Sequence, residues 1–297
     1  MISQTLGGNC MKLTHDEDRL FEVLMDIKER FPRVKRLDWI IPSVKFYLST
    51  VDFLGSFNDS ISVLDVGCSY GYGVYILSSV GGFNVLGIDI DKNAVNYAKE
   101  AVNLPNASFE IINILRQKDV DALLMKYGPF DAITCFEVFE HIPAHYSKIL
   151  LAHCFKLLKS GGFLFISTPN KPVYDVDTYT PDHINEIQYD DFLRLIRESG
   201  FEVLTVKGIF KTSPLLIKLI YRLNLAARID DRPNALSPLQ RLIRYLLVSI
   251  FDPRRILLSI SPHIDYNLFL KMKFKYSKCD DSVSNASLIY VIAKRIK

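Results

Sequence analysis

The sequence predicts an α/β fold: a doubly wound, seven-stranded, mostly parallel sheet, led by a helical segment and carrying a helical insertion before its last strand. Two observations predict it. Short β-prone runs alternate with helix-period segments, an order that places helices on both faces of a parallel sheet. In addition, Val63-Leu64-Asp65-Val66-Gly67-Cys68-Ser69-Tyr70-Gly71-Tyr72-Gly73 joins four β-prone residues to a glycine-broken turn and an apolar helical run. A strand, tight turn and helix start of this kind bring backbone N–H groups close to a ligand.

Thr14 and Glu17 have capping-box spacing and start a helix reaching about residue 31. Pro32 and Pro42 punctuate a second helical or mixed segment that ends near residue 57. The core then alternates: strand 61–66, helix 72–79, strand 84–89, helix 92–103 capped by Asp91, strand 108–112, helix 116–127 and strand 130–135. Pro143 opens a helix over 143–159, and Gly161-Gly162 lies just past its end. A strand over 163–167, a helix over 187–199 ended by Gly200, and strands over 201–206 and 288–293 complete the pattern. The expected organisation is a helical segment (1–57), a core (58–210), an insertion (211–284) and a final core strand (285–297).

An apolar content of 49% leaves ample material for a large core in 297 residues, so a disordered chain is excluded. No stretch of 18 uninterrupted apolar residues suggests a membrane span, and the polar start lacks the apolar centre of a signal peptide. Five scattered cysteines, never spaced C-x-x-C, point to reduced thiols in a cytoplasmic setting rather than a zinc site or disulfide framework. The net charge of +3 is unevenly spread. Between Lys207 and Lys278 there are 14 Lys/Arg against 4 Asp, a local balance of +10.

A second strand, Val85-Leu86-Gly87-Ile88-Asp89, ends in an acid 18 positions after Gly71, where a carboxylate can accept both hydroxyls of a ribose. Two nucleotide-binding folds share this outline, and Asp65 separates them. Dinucleotide dehydrogenases space three glycines as G-x-G-x-x-G, with no acid two residues before the first. Here Gly67-x-Ser69-x-Gly71 with Asp65 resembles motif I of the class I S-adenosylmethionine-dependent methyltransferases, whose fold is Rossmann-like. A carboxylate near the turn suits a ligand that carries an ammonium and a sulfonium. Ser69 stands where the family usually has glycine, and close ligand approach there expects a negative φ. The resemblance implies that Asp65, Gly67, Ser69, Gly71, Asp89, Ile90, Asn113 and Phe136 bind S-adenosylmethionine. Asn113 stands where the family often has an aspartate touching the adenine. In the family the last two strands form an antiparallel hairpin at the sheet edge, so residues 211–284 read as an insertion into it.

The run from Phe130 to Ile142 ends in Glu137-Val138-Phe139-Glu140-His141, which resembles motif IV of O-methyltransferases such as the ubiquinone-biosynthesis enzymes. The end of that strand faces the transferring methyl, because open α/β sheets bind ligands at the carboxyl ends of their strands. An Asn/Asp-Pro-Pro-Tyr/Phe motif and a Pro-Cys nucleophile are both absent from this position, which argues against enzymes that amino-methylate DNA or glutamine and against DNA cytosine methylation. Two chemical readings stand side by side. His141, His183 or Glu137 can act on the acceptor proton, an imidazole being the usual base near neutral pH. Alternatively Glu137, Glu140, His141 and His183 hold Mg²⁺ or a similar ion that acidifies substrate hydroxyls. The second layout, with Thr168-Pro169-Asn170 and then His183, resembles the small-RNA 2′-O-methyltransferases. Set against both, Glu140-His141 merely ends a helix or pairs with a basic side chain, His183 caps a helix near Asn185, and His145 is a solvated helix residue.

Between Thr168 and Glu186 an irregular segment lies over the sheet's carboxyl edge, with Tyr174 and Tyr179 as further substrate contacts. In the insertion, Lys218 with Arg222, and Arg241 with Arg244, line stripes beside Leu/Ile faces, as on basic amphipathic helices. Such helices wall an acceptor pocket, lie on an anionic membrane surface, or simply pack on the core. They are too apolar for nucleic-acid binding to lead. The expected activity is O-methylation of a small-molecule or lipid-linked hydroxyl acceptor: a sugar, a glycolipid or a quinol-like phenol. Metal-dependent RNA 2′-O-methylation and a non-catalytic binding protein of the same fold are the alternatives.

Overall fold

The computed structural model describes residues 17–34, 37–57, 60–170, 182–210, 275–277 and 286–296. The chain starts with two helices, α1 (Glu17–Arg30) and α2 (Leu37–Leu54). Thr14 of the expected capping box lies outside the described residues. Pro42 sits inside α2, where it removes one helical N–H but does not end the helix.

The alternating core follows: β1 (Ser62–Val66), α3 (Tyr72–Tyr75), β2 (Asn84–Asp89), α4 (Lys92–Ala101), β3 (Ala107–Ile111), α5 (Gln117–Tyr127) and β4 (Phe130–Cys135). Helix α3 widens into a π-helical stretch over Ile76–Val80. Asp91 caps α4 as expected, its carboxylate accepting from the N–H groups of Asn93 (2.8 Å) and Ala94 (3.3 Å). The rest comprises α6 (Ser147–Leu157), β5 (Leu158–Pro169), α7 (Tyr189–Glu198), β6 (Phe201–Phe210), β7 (Lys275–Ser277) and β8 (Leu288–Arg295).

The strand order is β3-β2-β1-β4-β5-β8-β6-β7. Strands β1 to β5 pair in parallel, while β8 runs antiparallel between β5 and β6. The expected seven strands are all present, and the short β7 adds an eighth at the edge. It falls inside the span read as helical insertion, because β6 continues to Phe210 and offers Gly208, Ile209 and Phe210 as partners for Lys275 to Ser277. The other expected features of residues 211–284, including the stripes of Lys218, Arg222, Arg241 and Arg244, lie outside the described residues, as do Tyr174 and Tyr179.

The helix expected over 143–159 is shorter. Pro143 precedes a 3₁₀ turn at Ala144–Tyr146, and α6 gives way at Leu158, which pairs directly with Phe130. Pairing with β4 outweighs continuation of the helix there, and Gly161, with φ of 77°, absorbs the irregular register inside β5.

Two apolar layers sandwich the sheet. One joins α1, α2, α3 and α4 to the sheet through Leu24, Phe46, Tyr47, Val63, Val74 and Val95. The other joins α5, α6 and α7 through Leu64, Ile133, Leu123, Leu150 and Phe192. The N-terminal helices thus share one core with the sheet, and α2 lies against the strand ends that form the site. Among the described residues, no helix is long and apolar enough to cross a membrane.

Candidate active site

The turn after β1 is shaped by glycine. Gly67 (φ 74°) and Gly71 (φ 89°) occupy the left-handed region, and a Cβ on Gly71 would come within 2.8 Å of the Ala98 methyl. Ser69 departs from expectation: its φ is 46°, not negative. The reason is a bond across the turn, since the Ser69 N–H donates to the Asp89 carboxylate (Oδ2, 2.9 Å). The same carboxylate accepts from the Asp91 N–H through Oδ1 (2.9 Å). Asp89 is therefore oriented by two backbone donors at the end of β2 and keeps lone pairs for a ligand.

Ile90, next to it, is 68% exposed, an apolar surface open at the strand end. Asn113 follows β3, and its side-chain oxygen accepts from the Leu115 N–H (3.0 Å), which leaves its amide hydrogens for other partners. His153 on α6 braces this loop, one ring nitrogen 2.6 Å from the Ile114 carbonyl and the other 3.1 Å from Gln117 Oε1. Phe136 follows the end of β4. It is buried against Tyr47 (ring centroids 4.8 Å apart), Phe46 and Tyr290.

Beneath the turn, Asp65 is fully buried. The Thr134 hydroxyl donates to its Oδ1 at 2.6 Å, and the Tyr47 hydroxyl reaches Oδ1 at 2.9 Å and Oδ2 at 3.2 Å. Burial raises its pKa to about 7, against the lowering effect of the Thr134 and Tyr47 hydrogen bonds. A Cβ on Gly73 would overlap the Tyr47 ring, so glycine there lets α2 close on the site. Tyr47 and Thr134 were not singled out in the sequence. Asp65 and Thr134 pair in register on neighbouring parallel strands, which only the sheet reveals.

After β4, Glu137 has φ of 54°, a strained conformation held by Ser167. The Ser167 hydroxyl accepts from the Glu137 N–H (3.1 Å) and donates to its carboxylate (2.8 Å). Glu140, His141 and His183 converge, with one candidate ligand atom from each lying within 4.8 Å of the others. Glu137 is not part of that group. Glu140 is fully buried and accepts from the Thr168 hydroxyl (3.3 Å). Its backbone carbonyl accepts from the N–H groups of Ile184 (2.9 Å) and Asn185 (3.1 Å), which docks the segment after Asp182 onto the 3₁₀ turn Phe139–His141. His183 does not cap a helix, since α7 begins only at Tyr189.

The two imidazoles stand with centroids 5.1 Å apart and planes at 81°. His141 Nδ1 lies 3.0 Å from the Asp182 carbonyl, which can only accept, so Nδ1 carries the hydrogen and, in the neutral ring, Nε2 is the acceptor. His183 Nδ1 lies 3.3 Å from Glu186 Oε1, a carboxylate that holds the second ring in the same way. Glu186 was not anticipated from the sequence. Its spacing of three from His183 is the signal that was there to read.

A model of the methyltransferase domain family matches residues 43–206, more than half of the chain. The chain belongs to this family, and it is an S-adenosylmethionine-dependent methyltransferase by family and fold. It is 29% identical over 188 residues to a ubiquinone biosynthesis O-methyltransferase of Colwellia psychrerythraea, covering 59% of this chain and 74% of that protein. To the enzyme of the same name from Coxiella burnetii it is 36% identical over 110 residues, 37% of this chain and 44% of the relative, so that match spans less than half the relative's length. Among solved structures, a Galdieria sulphuraria protein described as a sarcosine dimethylglycine methyltransferase superposes with a TM-score of 0.52 at 15% identity, covering 95% of this chain and 99% of the other. The [4+2]-cyclase SpnF superposes with a TM-score of 0.50 at 14% identity, covering 86% and 82%. A cyclase on this scaffold shows why chemistry has to be argued from the site and not from the fold.

Asp89→Ala tests the expected ribose contact, because it removes the carboxylate oriented at the end of β2. Leaving ligand hydroxyls unpaired costs about 1–3 kcal/mol, so calorimetry with S-adenosylmethionine should read an affinity roughly ten- to hundredfold weaker. Unchanged affinity would remove Asp89 from the site.

Proposed function

We propose that this protein transfers the methyl group of S-adenosylmethionine to a hydroxyl oxygen of a small or lipid-linked acceptor, with a sugar, a glycolipid or a quinol-like phenol as the acceptor class. The observation that carries the proposal is the 3.0 Å contact between His141 Nδ1 and the Asp182 carbonyl, which in the neutral ring leaves Nε2 for the acceptor proton. As the oxygen attacks the methyl carbon and the sulfur departs, the hydroxyl hydrogen passes to Nε2. Alignment of the three atoms over the sheet edge supplies much of the rate. The cofactor sits on the Gly67–Gly71 turn with its ribose on Asp89. The relatives named as ubiquinone biosynthesis O-methyltransferases support oxygen as the acceptor atom.

The cluster of Glu140, His141 and His183 supports a second reading, metal-assisted O-methylation, in which the acceptor hydroxyl extends to a ribose 2′-OH. The donor set fits a divalent cation: one ligand atom from each of the three residues lies within 4.8 Å of the others, and each histidine has Nδ1 beside an acceptor. Two imidazoles and one carboxylate suit Mn²⁺, Fe²⁺, Co²⁺ or Zn²⁺ better than Mg²⁺, which prefers an all-oxygen shell. A bound ion would lower the pKa of the acceptor hydroxyl. The three side chains would hold it, and Glu137 would stay with Ser167 beside the methyl path.

Both readings are tested by a methyl-transfer assay across phenolic, sugar and RNA acceptors, with the product bond identified by mass spectrometry. Oxygen methylation that survives chelation supports His141 as a base. Activity lost on chelation and restored by Mn²⁺ more than by Mg²⁺ supports the ion. Transfer to nitrogen or carbon would overturn the proposal.

The +10 balance between Lys207 and Lys278 supports an acceptor presented at an anionic surface. Each basic residue near such a surface contributes about 1 kcal/mol, fading within a Debye length. Binding to acidic liposomes should be measurable at low salt and fall as salt rises. Reversing Lys218, Arg222, Arg241 and Arg244 to Glu should abolish it, and a wild-type protein that ignores such liposomes points to a soluble acceptor.

A further inference from the structure

The segment that carries His183 is seated by two buried asparagines. Asn185, 8% exposed, gives away both hydrogens of its side-chain amide: Nδ2 lies 3.2 Å from the Phe139 carbonyl and 2.9 Å from the Ser147 hydroxyl. Its backbone N–H joins that of Ile184 on the Glu140 carbonyl. At the far end Asn170 accepts from the Tyr189 N–H through Oδ1 (2.9 Å), donates to the Ala286 carbonyl (3.0 Å) and forms a backbone bridge with Ile187. Residues 182–189 thus run as a strap from the 3₁₀ turn Phe139–His141 to the end of β5.

The backbone donors of the strap are available to any residue except proline. The Asn185 amide is what the sequence adds: a short planar group with two N–H donors, one for the turn and one for the first residue of α6. An aspartate or a leucine there has the size but not the donors. What the strap delivers bears on His141. The Asp182 carbonyl, one residue before His183, meets His141 Nδ1 at 3.0 Å, and the two imidazole centroids stand 5.1 Å apart. If the strap leaves, that carbonyl leaves with it, and Nδ1 faces water.

We propose that Asn185 is a positioning residue for methyl transfer: by pinning the strap to the Phe139–His141 turn and to α6, it holds the Asp182 carbonyl on His141 Nδ1 and so decides which ring nitrogen is left for the acceptor. Asn185 acts through His141 and not on a ligand, since both its amide hydrogens are spent on the protein. The inference deepens the assignment of His141 as the base and rests on it. Its readout needs no acceptor, so the two fail separately.

The experiment is long-range ¹H–¹⁵N correlation of the histidine rings in the full chain. It is run at about pH 8.5, roughly two units above the ordinary imidazole pKa, with a chelator present so that no metal holds a ring nitrogen. His141→Ala assigns the signal. In the wild type His141 should carry its hydrogen on Nδ1. A free neutral imidazole in water favours Nε2–H, and Asn185→Ala should shift His141 toward that form. Ser147→Ala removes only the α6 contact and should move the signal the same way by less. Affinity for S-adenosylhomocysteine, read by calorimetry, should be unchanged in both variants. An Nε2–H form of His141 in the wild type, or an unmoved signal in Asn185→Ala, overturns the proposal. If Asn185→Ala does not fold, an unmoved signal in Ser147→Ala overturns it. A cofactor affinity that falls together with the shift would make Asn185 a structural residue only, and overturn it too.

Discussion

Replacing Asp65 with Asn should make the cofactor-free protein more stable above pH 7 while weakening the cofactor complex. The folded-state pKa of Asp65 is raised from 3.8 to about 7, burial being the main cause. A raised folded pKa means the native state binds the proton more tightly than the unfolded chain. That contribution is fully present below about pH 4, is lost as pH rises through about 7, and is constant beyond. At 1.36 kcal/mol per pKa unit the full effect is on the order of 4 kcal/mol, of which roughly 3 falls between pH 5 and pH 8. Asn is neutral throughout and can still accept the Thr134 hydroxyl, so its stability should not carry this loss. Urea unfolding of both proteins at pH 5 and pH 8 is the measurement. If wild type and Asp65→Asn lose the same stability over that interval, the buried acid does not titrate there.

Turnover should fall by about 10² to 10⁴ in His141→Ala, the usual contribution of a positioned base, with cofactor affinity almost unchanged. His141 lies after β4 on the 3₁₀ turn Phe139–His141, and its ring is exposed, so truncation opens no core cavity. The fall should be partly matched by Glu186→Gln, which weakens the hold on the His183 ring without touching the acceptor path. Single-turnover rates and separate cofactor titrations distinguish the two effects. Wild-type rates in both His141→Ala and His183→Ala would exclude either residue from the chemistry, as base or as ligand.

Much of this was legible along the chain because it is local. The strand–turn–helix after Val63 needs only β-prone residues and glycines at fixed spacing, and the Asp91 cap needs only its own side chain within reach of the next two N–H groups. The positions of Asp89, Asn113 and Glu140-His141 at strand ends follow from the alternating pattern. The pattern could not show where α6 yields to β5, because that boundary depends on Phe130 waiting to pair with Leu158. Nor could it show the left-handed Ser69, whose conformation is set by a carboxylate 20 positions away.

The sequence by itself determined the doubly wound sheet, the glycine turn after β1, the acid at the end of β2, and the residue types available for proton or metal chemistry. Short-range propensity and hydrophobic period are enough for those. Only the tertiary structure decided how they are used. It brought α2 down so that Tyr47 reaches Asp65, turned Phe136 into an aromatic core, set Glu137 against Ser167, and left Glu140, His141 and His183 as one group. That group exists because the N–H groups of Ile184 and Asn185 seek an acceptor and find it in the carbonyl of Glu140, more than forty residues earlier. A hydrogen bond of that span leaves no periodic trace in the chain, and the candidate site depends on it.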